Sequence, residues 1–184
     1  MFIKDLIRHY ALNLLVSFAL FVVILAVRLE SNPVFIVYTM LGCFFGTYLL
    51  DLDYLVFGFF VEPEHHFSRR LREFAAQRNF SGMFSYIAVH GEEIPRLTLH
   101  SALFQSVLAI AMVYVLTSSD NVFGQSFVIC AYLQSVVVLL DEFAKTKNVD
   151  SWFWILKDKP SKSFLKGYFA VTVIVFFYGL FLIK

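Results

Sequence analysis

The sequence predicts an all-α membrane protein, a bundle of about five transmembrane helices with an amphipathic helix in a cytoplasmic loop. Three observations lead there. Of 184 residues, 59% are hydrophobic and only 16% charged, and the mean hydropathy is +0.73; an ordinary soluble domain carries about 25% charged residues. The apolar residues collect in segments of roughly the 17–20 residues needed to cross hydrocarbon. The basic residues collect on one side of those segments. The same composition excludes a disordered tail, a collagen-like rod and a disulfide-rich secreted module. The length suits a single integral membrane domain over residues 1–184.

The first segment, 11–27, is interrupted only by Asn13 and Ser17. No small-x-small cleavage pattern follows it at Val27-Arg28-Leu29-Glu30, so it reads as a retained helix. The second, 34–50, carries Gly42 and Gly46, a spacing that allows close helix packing. An apolar run from Tyr54 to Val61 is too short to cross alone; it either extends the second helix or lies in the interface. A loop follows over 62–100. In it, Glu64 to Arg78 places Phe67, Leu71, Phe74 and Ala75 on one helical face with arginines on the rest. Such a helix either lies on the membrane surface or packs on the protein's own loops. The third and fourth segments are 101–117 and 122–140. A second loop, 141–163, carries Trp152 and Trp154, residues expected as interfacial anchors, and the fifth segment is 164–183. Cys43 and Cys130 fall within spans and read as packing residues; no Cys-x-x-Cys pair exists.

Five crossings place thirteen of the fifteen basic residues on one side: Lys4 and Arg8, five arginines of the first loop, and the six lysines from Lys145 to Lys166. Only Arg28 and Lys184 remain for the other. The positive-inside rule assigns the crowded side to the cytoplasm, with the N-terminus cytoplasmic in a cell (inner) membrane and the C-terminus opposite. The expected surroundings are the lipid bilayer and, beyond it, a homo-oligomer or a partner membrane protein. No nucleic acid is expected.

Chemistry is expected where ionisable groups meet the helix ends. Asp51 and Asp53 directly follow the second segment. Carboxylates this close to hydrocarbon need a partner, water or a metal. At i, i+2 they diverge by about 200° on a helix and point the same way on extended chain, so sharing one ion requires the helix to break. If the helix continues, Asp53 joins the Gly42–Gly46 face and points into the bundle. Plain solvation at a helix end is the alternative. Arg96 and His100, at i, i+4, share a face at the start of the third span. Asp141 and Glu142 close the fourth, with Gln134 on the face of Asp141 one heptad earlier. His65, His66 and His90 lie in the first loop and could fold over these ends. Carboxylates with imidazole suit zinc, manganese or iron, and all-oxygen sets suit magnesium or manganese. An ion there would activate water or polarise a phosphoryl or acyl oxygen, and Arg96 would hold an anion. Zincin, serine-elbow, P-loop and dinucleotide motifs are all absent.

At these residues the chain resembles the membrane-bound metal-dependent hydrolase family, the YdjM-like proteins. Gly46 to Asp53 looks like its early Asp-x-Asp box, and Arg96-Leu97-Thr98-Leu99-His100-Ser101 like its later His-containing box. Leu139-Leu140-Asp141, followed by Ser151-Trp152-Phe153-Trp154, looks like its third. The likeness runs over about residues 34–157. Tyr54, Pro95 and Val137 stand where the family places histidines, and Leu99 stands at its threonine. Either His65, His66 or His90 supplies the missing imidazoles, or the chain has lost metal and activity. The resemblance implies metal-dependent hydrolysis at the cytoplasmic face, of a phosphoester or lipid-linked substrate. Asp51, Asp53, His100 and Asp141 would be ligands of zinc, manganese or magnesium. His65 and His90 would be reserve ligands or acid/base groups, and Arg96 the anion-binding group. The rival expectation is a non-catalytic scaffold or subunit of a larger membrane complex, favoured by the missing histidines and the 23 phenylalanines.

Overall fold

The computed structural model describes residues 2–29, 31–91, 94, 97–156 and 160–183, with the backbone alone for residues 2–10. Among the described residues every regular element is helical. The order is α1 (Phe2–Arg28), α2 (Pro33–Thr47), α3 (Leu52–Val56) with a π-helical turn (Phe57–Val61), α4 (His66–Ala76), α5 (Phe80–His90), α6 (Ala102–Ser118), α7 (Val122–Thr146) and α8 (Lys162–Leu182).

Local chemistry sets most starts. The side chains of Asn32, Asn79, Ser101, Asn121 and Ser161 each accept a hydrogen bond from a backbone amide in the first turn, and Pro33 follows Asn32 where its missing N–H does no harm. α7 ends at Lys147, in the left-handed conformation with φ 56°, a common way to close a helix.

Among the described residues three helices are long and apolar enough to cross a membrane: α1 from Ala11, α7 and α8. A fourth crossing results if α2 and the 52–61 segment, bent by 49° at the break between them, form one span. The five full crossings expected at 11–27, 34–50, 101–117, 122–140 and 164–183 are therefore corrected. The second expected segment fails because its helix stops at Thr47, and 15 residues reach about 22 Å at 1.5 Å per residue. α6, at 17 residues, reaches about 26 Å, short of a hydrocarbon core of roughly 30 Å. Apolar length in the sequence does not reveal where a helix ends.

α7 is the axis of the bundle. It is 61% buried over its span, against 17% for α1 and 11% for α8, which turn most of their surface outward. The main core gathers Leu20 and Ile24 of α1, Leu108, Met112 and Leu116 of α6, and Ile129 and Tyr132 of α7. The tightest approach is α2 against α7. A Cβ placed on Gly42 would lie 2.7 Å from the Phe123 carbonyl oxygen and 2.8 Å from Ser126 Cβ. One placed on Gly46 would lie 2.6 Å from the Phe127 carbonyl oxygen. The two glycines let backbone meet backbone, as their spacing predicts. A polar knot sits beside the contact: Ser17 Oγ donates to the Cys43 carbonyl at 3.1 Å, as do Thr47 Oγ1 at 2.8 Å and Cys130 Sγ at 3.1 Å. The two cysteines are free and buried. Cys130 thus serves as a donor as well as packing.

Two smaller clusters cap one end. Phe67 and Leu71 of α4 pack with Phe57, Met83, Ile87, Ile94 and Leu97, so the apolar face of α4 is covered by the protein's own side chains. Leu50, Leu139, Val149, Trp152 and Phe153 form the other. Trp152 is 1% exposed, so the interfacial anchor expected there is a core residue; only Trp154 keeps an exposed ring.

Gly42→Ala and Gly46→Ala are each expected to lower unfolding stability by about 1–3 kcal/mol, the range for overpacking a close contact, in thermal or denaturant unfolding of the detergent-solubilised chain. Gly167→Ala, on α8 with open space around it, is expected to be neutral or stabilising by up to about 1 kcal/mol.

Candidate functional site

The break after α2 is what brings the polar groups of the capped end together. Tyr48 to Asp51 form a turn, α3 begins at Leu52, and Asp53 lands in its first turn under the segment that leads into α6. Asp53 is 1% exposed. Its Oδ2 accepts hydrogen bonds from the backbone N–H groups of Leu99 and His100, the latter at 3.1 Å, and His100 Nδ1 lies 3.3 Å from the same oxygen. A carboxylate only accepts, so this contact selects the Nδ1–H tautomer and leaves the lone pair on Nε2. The imidazole is 11% exposed. It stands between the rings of Tyr54, at 5.5 Å, and Trp152, at 6.1 Å. Asp51, half-buried, lies in the turn two residues before Asp53.

The loop after α7 supports the other side. Glu142 accepts from Ser151 Oγ and, at 2.6 Å, from Trp152 Nε1. A buried indole N–H needs an acceptor, and Glu142 supplies it. The Trp152 carbonyl then accepts from the Ala102 amide at 2.8 Å, and Trp154 Nε1 donates to the Leu97 carbonyl at 3.3 Å. Ser101 closes the set as the cap of α6: its Oγ donates to the Thr98 carbonyl and accepts from the Phe104 amide. The 97–101 segment is thus held from Asp53 on one side and from the Trp152 loop on the other.

Set against the expected ligands, the result divides. Asp53 and His100 meet, with Asp51 beside them. Asp141 does not join: it forms an exposed ion pair with Lys145 at 2.7 Å, one turn along α7. The polar stripe expected from Gln134 to Asp141 also divides, because Gln134 is buried and its Nε2 donates to the Asn13 carbonyl of α1. His65 caps α4, its Nδ1 accepting from the Phe67 amide, and its ring lies 5.6 Å from Phe57. His90 stacks on Tyr86 at 4.4 Å. His100 sits in the turn before α6, not in the helix; Arg96, expected to share a helical face with it, lies outside the described residues. Among the described residues no group of three His, Cys, Asp or Glu side chains is arranged to hold a metal ion. Asp51, Asp53, His100 and Asp141 do not fit a shared zinc, manganese or magnesium ion: Asp53 Oδ2 is taken up by two backbone amides and an imidazole, and Asp141 faces Lys145.

Sequence reading preferred Asp141 to its neighbour Glu142, yet Glu142 is the carboxylate that organises the site. The available signal was Trp152, whose indole demands an acceptor once buried. No protein-family model, curated protein or solved structure matches the chain.

Asp53→Ala leaves the Leu99 and His100 amides without their acceptor and is expected to destabilise by about 1.5–3 kcal/mol, the range for bonds to a charged group. Asp141→Ala breaks an exposed i, i+4 pair and is expected to change stability by less than about 0.5 kcal/mol. Parallel unfolding of the two variants in one detergent checks the contrast.

Proposed function

We propose that the chain is a non-catalytic integral membrane protein, a scaffold or subunit of a larger membrane assembly. The observation that carries this reading is the occupation of the helix-end carboxylates. Asp53 is bonded to Leu99 and His100, Glu142 to Ser151 and Trp152, and Asp141 to Lys145. Each ties one part of the chain to another. The outward surfaces support it as well. α8 buries little besides Thr172 and Gly179 and exposes Phe164, Val171, Ile174, Phe177 and Phe181, a face suited to lipid or to a second membrane helix. In this reading the chain lies in a cell (inner) membrane, with the end bearing Arg69, Arg70 and Arg72 toward the cytoplasm, the side on which basic residues collect.

The Asp53–His100 contact favours one second reading. An imidazole whose Nδ1–H is held by a buried carboxylate is a group oriented for general-base work through Nε2. In that reading the chain is a hydrolase acting on a phosphoester or acyl group, with His100 as base and Asp53 as its orienting partner. The required ions or co-reactants would be held by groups other than the four residues expected from sequence.

Two measurements separate the readings. The chain, expressed with zinc and manganese supplied and purified in mild detergent, is expected to carry well under one metal ion per chain by elemental analysis. Its protein mass by light scattering is expected to exceed the 21.3 kDa of one chain, in the wild type and in His100→Ala alike. One bound metal per chain that disappears in His100→Ala would sink the scaffold reading. So would hydrolysis of a chromogenic phosphate or acyl ester that His100→Ala abolishes and Trp154→Phe keeps.

A further inference from the structure

Away from the Asp53–His100 contact, α4 and α5 enclose a cleft of about 450 Å³ lined by His66, Arg69, Arg70, Glu73, Tyr86 and His90. Pockets for small ligands run from about 300 to 1,000 Å³, so the space suits a ligand larger than a simple ion. Its lining is chemically one-sided. Among the described lining residues, two guanidinium groups and two imidazoles face one carboxylate, Glu73.

The arginines reach the cleft because of the helix periodicity. Phe67 and Leu71 turn inward, so Arg69 and Arg70 must turn outward. Each is held by one exposed carboxylate oxygen: Arg69 Nη2 by Glu64 at 2.8 Å and Arg70 Nη1 by Glu73 at 2.6 Å. Exposed pairs of this kind contribute little. A guanidinium has five N–H donors in a planar fork, so most of each fork stays available. Arg70 is also stiffened by lying over the Phe74 ring at 5.4 Å. From α5, His90 is fixed by stacking on Tyr86 and by the contact of its Nδ1 with the Tyr86 carbonyl at 3.3 Å. The neighbouring elements also expose apolar side chains: Phe80, Phe84 and Val89 of α5, and Phe59 and Phe60 of the π-helical turn.

We propose that this cleft binds a phosphate group. Two forks and two imidazoles present more donors than a carboxylate's two oxygens require. They match the three or more oxygens of a phosphate, which arginine recognises by paired hydrogen bonds. The phosphate belongs either to the headgroup of an anionic phospholipid, which the exposed aromatic residues would help to seat, or to a soluble phosphate. The site stands apart from His100 and holds under either reading of function.

The test uses the full chain in neutral detergent with two probes. Phosphatidylglycerol is scored against phosphatidylcholine by native mass spectrometry, and inorganic phosphate by calorimetry. The expected result is that at least one phosphate probe binds. The R69Q/R70Q double variant weakens it about tenfold or more, since each charge-assisted bond accounts for roughly that factor. The K162Q/K166Q double variant removes the same charge from the exposed start of α8 and leaves binding within about twofold. Glu73→Gln, which removes the one carboxylate among the described lining residues, is expected to tighten binding severalfold, a gain that misfolding cannot produce. Binding of phosphatidylglycerol alone identifies a lipid headgroup; binding of inorganic phosphate in the same order of variants identifies a soluble phosphate. The proposal is overturned if neither probe binds, if R69Q/R70Q and K162Q/K166Q weaken binding equally, or if Glu73→Gln weakens it.

Discussion

At Gly42 and Gly46 the backbones of α2 and α7 come so close that a methyl group has no room on the α2 side. Two helices in lipid gain nothing from hiding apolar surface, so close packing and buried hydrogen bonds hold them together. Both are concentrated here. The Cys43 carbonyl, one residue after Gly42, accepts from Ser17 of α1, from Thr47 one turn on and from Cys130 of α7. Three helices are therefore joined at one point, and α2 is anchored one turn before it ends. That anchor places the turn over 48–51, then α3, then Asp53 beneath the entry to α6.

From Asp53 the constraint passes on through backbone contacts. An irregular segment such as 97–101 has amides that no helix satisfies, and burying them requires partners. Asp53 supplies two, Ser101 caps α6, and the Trp152 carbonyl receives the Ala102 amide. Trp152 is held in turn by Glu142. The chain of contacts runs from α2 through α3, the α6 entry and the Trp152 loop to Glu142 of α7, the helix against which α2 is packed. Its two carboxylates, Asp53 and Glu142, act through fixed geometry. Lys145 and Asp141, outside this circuit, are half-exposed and pair one turn apart on α7.

The glycine contact was legible in the sequence because its cause is local: two small residues four apart on an apolar helix. So was the gathering of Asp53 and His100 at one depth, because charge avoids hydrocarbon and marks the helix ends. The break after Thr47 was half legible. Two carboxylates at i, i+2 demanded a choice between a broken and a continuing helix, and the composition of 34–50 favoured neither. Five crossings were read where three or four are long enough, because apolar runs continue through turns that end a helix. The choice of Asp141 over Glu142 failed for another reason. Periodicity assigns a residue to a face, but which of two adjacent carboxylates receives an indole depends on the path of a loop about ten residues away. Trp152, expected at an interface, shows the same limit: its neighbours come from Leu50, Leu139 and Val149, which no local pattern joins.

Amide exchange at Leu99 and His100 tests the role of Asp53 most directly, in the full chain reconstituted in lipid, with and without excess zinc or manganese. If Asp53 is a brace, both amides are strongly protected without metal and their exchange does not change when metal is added. Rapid exchange in the metal-free chain that slows on adding either ion would contradict the brace and return Asp53 and His100 to the role of ligands.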